Sequence, residues 1–262
     1  MDLLTGYMDC HVCCLQESVV SDLTTHCEPA GVMTLVLPMT VSVPYRQIRA
    51  HYDHETITVY QAYSAAIAIP AVKAQKLSAS PEYKLGRMTW IKPSWCWMMY
   101  RQNFSLASCI ALIKRSFFSR YRSGYASKDA NQAHILAIKM KHEHFLQLLS
   151  NASVTHGKMT DEEKSKLVRV QWDPERSPLL ELLPYRSIQI GISKELTEKW
   201  VEEWIVAIED VTEKAKGLKR VVVEEKPGST LEELFEQGVM PREEVYKLPE
   251  NIRDILKMDE PR

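Results

Sequence analysis

Polar residues interrupt the apolar stretches of this chain in four places, and their types suit the recognition of anions and aromatic rings. Arg49, His51 and Tyr52 precede the first strongly β-rich run, and Tyr60, Gln61 and Tyr63 lie on it or at its end. Thr89, Lys92 and Ser94 fall where a second extended run meets Pro93. Arg169, Gln171, Glu175, Arg176 and Arg186 come from two later runs and their loops. Gathered around one pocket, these side chains would present several cations, hydroxyls and aromatic faces, a set that fits a nucleotide, a phosphate or a flipped base. Thr89 to Ser94 adds a strand-to-helix junction, where unpaired backbone N–H groups and the positive end of a helix favour an anion.

Each group also has a plainer reading. Trp95, Trp97, Met98 and Met99 are core formers. Lys92 can lay its stem on apolar surface and keep its ammonium in water. Arg169 and Gln171 fit the solvent face of a strand, Glu175-Arg176 a local turn pair, and His142 and His144 the surface. Cys10, Cys13, His26 and Cys27 superficially offer four metal ligands. A structural zinc ion takes two spaced ligand pairs. The second pair here is adjacent in sequence, which is poor tetrahedral geometry, so no metal site is expected. The phosphate-cradling Gly-x-x-x-x-Gly-Lys-Ser/Thr loop is absent, as are Gly-x-Gly-x-x-Gly, His-Glu-x-x-His and Gly-x-Ser-x-Gly. A P-loop motor and the common hydrolase signatures are therefore disfavoured.

The elements that must position these residues are legible from periodicity. Thr56–Tyr63 reads as a buried strand, followed by a helix from an N-cap at Ser64 to Lys76, although Pro70 conflicts with a helix interior. Gly86–Ile91 is a second strand, and Pro93-Ser94 opens a short helix carrying the tryptophans. His134–Lys139 is a strand and His142–Leu149 a helix. Leu167–Trp172 and Tyr185–Ile192 alternate as strands with one covered face. Ser193 precedes a helix whose Leu196, Trp200 and Trp204 form one apolar stripe, and Trp204–Glu209 returns as a strand. Lys226–Ser229 is a linker, Ser229-Thr-Leu-Glu232 a capping box for a helix ending at Gly238, and Pro249–Met258 a terminal helical turn or two. Several helices are too short for parallel crossovers. The expected fold is α/β of the α+β type: a mixed, mostly antiparallel curved sheet with short helices packed on it, in a single domain.

Composition bounds the rest. The 262 residues are 45% hydrophobic and 26% charged with net charge −1, which is ordinary globular composition and argues against binding nucleic acid mainly by phosphate neutralisation. No apolar run reaches a membrane span, the longest, Ala30–Val43, being broken by Pro38. No basic segment precedes it, so no secretory signal is expected. Four of the six cysteines lie between Cys10 and Cys27, unlike a disulfide framework spread through a core. The expected setting is reducing, in the cytoplasm or nucleus.

Two stretches look foreign to this pattern. Residues 1–42 hold no Lys or Arg and show no sustained period, as expected of a poorly ordered or spurious extension ahead of a domain at 43–258. Tyr100-Arg101 recurs as Tyr121-Arg122, and between them lie Ile110–Ile113 and Phe117-Phe118 flanked by Lys114, Arg115 and Arg120. Alone, that block reads as a basic amphipathic helix. The repeated flanks favour an inserted segment at about 102–122.

The segment Met88-Thr-Trp-Ile-Lys-Pro-Ser-Trp-Cys-Trp-Met-Met-Tyr-Arg101 resembles domain-of-unknown-function family 4291, as do Ile48–Asp53, Val59–Tyr63, Val168–Arg176, Pro184–Gly191 and Glu203–Thr212. Together the matching pieces cover about Arg46 to Met258. The resemblance implies that Arg101 or Arg122 should run straight into Ser123-Gly124-Tyr125, so the block between is a departure, as are residues 1–42 and Pro70. It implies no activity. The order of a strand with Tyr60, a helix, a strand with Thr89 and a helix opened by Pro93-Ser94 is also similar to the first half of ADP-ribosyltransferase folds. That likeness implies NAD as cofactor, bound in the cleft of a split sheet, with Glu175 or Glu209 stabilising an oxocarbenium-like ribose. The alternative is a module that binds short single-stranded nucleic acid on a small mixed-sheet barrel. It would place Arg49, Lys92, Arg101 and Arg186 on phosphate and stack Tyr63 or Trp172 on a base. Oligomeric state is not legible.

Overall fold

Alternation of side chains along β-rich runs dictates the architecture. The structure is a computed structural model and describes residues 43–101, 132–155, 160–225 and 228–260. The N-terminal extension with its Cys10, Cys13, His26 and Cys27 set, the block 102–122, and Lys226-Pro227 of the linker lie outside the described residues.

The strands are β1 (Arg49–Ala50), β2 (Thr56–Tyr63), β3 (Thr89–Ile91), β4 (His134–Lys141), β5 (Ala152–Val154), β6 (Val168–Arg176), β7 (Leu182–Ile192), β8 (Ile205–Asp210) and β9 (Glu244–Val245). The α-helices are α1 (Ala65–Ala74), α2 (Trp95–Arg101), α3 (His142–Ser150), α4 (Asp161–Ser165), α5 (Lys194–Lys199), α6 (Thr212–Arg220), α7 (Leu231–Glu236) and α8 (Glu250–Ile255). Strands β2, β4 and β8 form one antiparallel sheet, with β2 and β4 in register from Thr56 opposite Lys141 to Tyr63 opposite His134. A second sheet runs β3-β7-β6-β5, antiparallel apart from the β5–β6 pair, and β1 with β9 makes a two-stranded ribbon. Tyr60 and Lys92 exchange backbone hydrogen bonds of 2.7 and 3.2 Å and so stitch the first two sheets together. This is the α+β class, with antiparallel pairing dominant. The expected single curved sheet is divided into these pieces, and among the described residues none closes into a barrel.

Apolar residues line both faces of the three-stranded sheet. Ile57, Val59, Leu136, Ile138 and Ile208 join Val168, Val170, Ile188, Ile190 and Ile192 of the second sheet in the larger cluster, with Trp200 and Trp204 buried in it. Tyr60, Ile135 and Ala137 face the other way, onto Trp95, Met98 and Met99 of α2 and Ala215 and Leu218 of α6. Burying such side chains supplies about 1.5–3 kcal/mol each. The described residues all belong to one unit, Ser42–Arg262. No helix among them is long and apolar enough to cross a membrane.

Several local expectations are corrected. Helix α1 stops at Ala74 because Gln75 turns left-handed (φ 55°), and Pro70 sits inside the helix. The second strand is only Thr89–Ile91. The capping box lies one residue later than expected: Thr230 and Glu233 cap reciprocally, leaving Glu232 to accept from Arg242 Nη1 at 2.9 Å. The Leu196–Trp200–Trp204 stripe passes from α-helix into a π turn over Trp200–Trp204. His142 is half-buried, with Nδ1 2.9 Å from the Tyr246 hydroxyl and Nε2 2.8 Å from the Asp53 carbonyl.

Candidate functional site

The register of β6 against β7 sorts their side chains into two sets. Val168–Ile192, Val170–Ile190 and Trp172–Ile188 are paired across the strands and point into the larger core cluster. The intervening pairs, Arg169–Gly191, Gln171–Gln189 and Asp173–Ser187, must then share the opposite face. Strand β3 extends that face, because Trp90 stands opposite Gly191 and Ile91 opposite Ile190. The Trp90 indole lies across Gly191, where a Cβ would come within 2.9 Å of the ring. The result is a polar sheet face, shielded from water in part: Ser187 is 2% exposed, and Gln189 and Lys92 are each 5% exposed, whereas Arg169, Gln171 and Asp173 are half-buried. Polar groups in that setting must satisfy one another. Gln189 Nε2 donates to Gln171 Oε1 at 2.6 Å, and the Lys92 ammonium stands 5.5 Å from the Trp97 ring centre.

At one end of this face two carboxyl groups converge on the first turn of α2. The β6–β7 register slips between Pro174 and Arg176, leaving Glu175 at a bulge, where a side chain is re-aimed. Glu175 is 4% exposed, and its Oε1 accepts from Ser94 Oγ at 2.9 Å and from the Arg176 backbone N–H at 2.8 Å. Ser94 Oγ in turn accepts the Trp97 N–H at 3.1 Å and so caps α2. Glu243, which immediately precedes β9, accepts the Trp95 N–H on Oε1 at 2.5 Å. Arg49 Nη2 donates to the Glu243 carbonyl at 2.8 Å, held there by the β1–β9 ribbon.

Crowding a half-buried carboxyl, Glu243, against a buried one, Glu175, moves both titrations. Burial, reinforced by the charge of Glu175, pushes the Glu243 carboxyl up to about 8, against the opposing pull of the Trp95 N–H and Arg49. Burial likewise raises Glu175, opposed by the Arg176 N–H, the Ser94 and Ser187 hydroxyls and Arg49. Burial carries the Tyr185 phenol to about 12, with Arg49 opposing, and raises the Cys96 thiol, with both glutamates adding to the effect. Near neutral pH Glu243 therefore holds a proton. With Oε1 taken by the Trp95 N–H, its hydroxyl is left to donate. A protonated carboxyl beside a second carboxyl is the arrangement used for general acid and charge-stabilising roles.

The structure distributes the expected site residues unevenly. Ser94 and Glu175 touch, Arg49 stands beside the Glu175–Glu243 pair, and Lys92, Arg169 and Gln171 share the polar face. Others have structural partners. Tyr60 packs edge-on against Trp95 at 5.3 Å. Gln61 donates to Thr89 Oγ1 at 2.6 Å and accepts from the Tyr63 hydroxyl at 3.0 Å, so these three form a network on the core side. Arg186 donates through Nε to the Tyr45 hydroxyl at 2.8 Å and through Nη1 to the Trp172 carbonyl at 3.2 Å. Trp172 is buried, with its indole N–H on the Leu256 carbonyl at 3.0 Å. His51 is exposed beside the Arg242 carbonyl. Glu209 is exposed on β8, opposite Ala137, and does not join Glu175. The Arg101 side chain lies outside the description. Glu243, Tyr185 and Ser187 were not expected from sequence. Pro174 was the available signal for the bulge, since an interior strand tolerates proline only at such a break.

A family model described as Domain of unknown function (DUF4291) matches residues 47–109 and 107–246. No curated protein matches the chain.

Proposed function

The chain belongs to domain-of-unknown-function family 4291, and we propose that it is an acid–base enzyme transferring a glycosyl group from a nucleotide, with Glu243 and Glu175 as its working pair. The observation that supports this reading is the convergence of two carboxyls, Glu175 buried and Glu243 half-buried, on one helical turn, one of them still protonated near neutral pH. In such a transfer the bond from ribose C1′ to the leaving group breaks and its electron pair departs with that group. The developing positive charge spreads over C1′ and the ring oxygen. An ionised Glu175 would stabilise that charge. The Glu243 hydroxyl would protonate a leaving atom that needs it. The incoming nucleophile would then bond to C1′ and give its proton to Glu243 where Glu243 has protonated the leaving group, or to the ionised Glu175 where the base departs neutral without one, as nicotinamide does. Arg49 and Lys92, near the carboxyl pair, suit the donor's phosphates. NAD and simpler nucleotides are the first donors to try.

The test is chromatographic detection of released base when the full chain is incubated with NAD, ADP-ribose or AMP. Release is expected with at least one donor, falling on the order of a hundredfold or more in Glu175→Gln. Failure of every donor, or full activity in Glu175→Gln, contradicts the proposal.

A further inference from the structure

At the opposite end of the polar face, around the start of β6, lies a cavity of about 420 Å³. Lys166, Arg169 and Lys194 line it, together with Ser193 and a single acidic residue, Glu195. Arg169 and Glu175 are six positions apart on β6, so at roughly 3.3 Å per residue their Cα atoms stand about 20 Å from each other. The cavity is therefore separate from the carboxyl pair.

Arg169 is the telling residue. Its Nε is cut off from water without a hydrogen-bond partner, and no ion pair or hydrogen bond joins its side chain to the other described residues. Arg169 is half-buried and lines the cavity with no carboxylate of the described residues paired to it, so its charge is left for an anion that enters there. Glu195 does not do so. Its carboxylate is exposed, stands 3.8 Å from Lys194, and is held below the usual range chiefly by its own backbone N–H. Three cations against that one committed carboxylate leave a surplus matching the charge of a phosphomonoester, about −1.5 to −2. The volume is in the range of small-molecule sites and exceeds what bare phosphate needs.

We propose that this cavity binds a phosphomonoester, with Arg169 forking onto the phosphate oxygens and Lys166 and Lys194 adding long-range attraction. The proposal does not depend on the catalytic reading of Glu175 and Glu243. Isothermal titration of the full chain with glycerol phosphate, inorganic phosphate and glycerol tests it without using a nucleotide. Glycerol phosphate is expected to bind saturably, inorganic phosphate more weakly, and glycerol not at all. Arg169→Gln should weaken binding about tenfold or more while keeping the wild-type thermal midpoint. The Lys166→Ala/Lys194→Ala double variant should weaken it and flatten its salt dependence. Glu175→Gln should leave it unchanged. No saturable binding of either phosphate, equal binding of glycerol, or undiminished binding by a folded Arg169→Gln protein overturns the proposal.

Discussion

Burial and the neighbouring Glu175 carboxylate hold the Glu243 proton until about pH 8, from an ordinary value of 4.5, and that has a cost in the folded state. Between those two values the folded chain binds more protons than the unfolded one. The stability associated with neutral Glu243 is thus complete below about pH 4.5 and is lost as pH rises through 8. We expect wild-type stability to fall by on the order of a few kcal/mol from pH 5 to pH 9 in denaturant titrations. Glu243→Gln keeps the acceptor for the Trp95 N–H and should flatten that slope; an unchanged slope would sink the assignment. Asp53 acts in a different window. Its carboxylate is held down to about 2 from 3.8, chiefly by the Thr56 and Glu55 N–H groups, so its contribution disappears only as pH falls below 4. At this scale the sequence was half legible. Glu175 stood out as a charge among the polar residues of the later strands and loops, and Ser94 as the residue opening a helix. Glu243 did not, because it sits in the charged run Arg242-Glu243-Glu244, which carries no period. Its position beside α2 comes from the long-range pairing of β9 with β1.

Elements were more legible than sites, because alternation and helical stripes are local. Strand β2 matches its expected span, Thr56–Tyr63, and β6 and β7 alternate as their sequences suggest. What was missed depends on distant contacts or on competing caps. The slip at Pro174–Arg176 aims Glu175 at α2, and Thr230 rather than Ser229 caps α7. Helix α1 is a case where tertiary context overrides propensity. Pro70 lies inside it and cannot donate to the Ala66 carbonyl four residues back, while Ala68 and Ala71 beside it are fully buried. Packing of that face holds the helix together. Pro70→Ala should therefore stabilise the protein by about 1–3 kcal/mol, the regained helix propensity being partly offset by a freer unfolded chain. The thermal midpoint should rise by several degrees. A lower midpoint would mean that the proline is required for the way α1 meets the sheet.

For the whole molecule, the polar face of the β3-β7-β6-β5 sheet links the two proposed sites, with the carboxyl pair at one end and the Arg169 cavity at the other. Neither end was recognisable as a unit from sequence, since assembling them takes the antiparallel return of β7 and the ribbon of β1 with β9. The family match falls into two stretches that meet at residues 107–109, within the block set off by the repeated Tyr-Arg pairs. We propose that this block is inserted. Deleting Gln102 to Arg122 should raise soluble yield and thermal midpoint, whereas lower stability would show that the block belongs to the fold. The central claim is that Glu243 and Glu175 form one coupled acid pair. Its most direct test is a carbon-13 NMR titration of the glutamate side-chain carboxyls in the full chain. One resonance should titrate near pH 8, vanish in Glu243→Gln and move to lower pH in Glu175→Gln, where the like charge is gone. If every glutamate carboxyl titrates in the ordinary range near 4.5, or the high resonance is indifferent to Glu175→Gln, the pair does not exist as described.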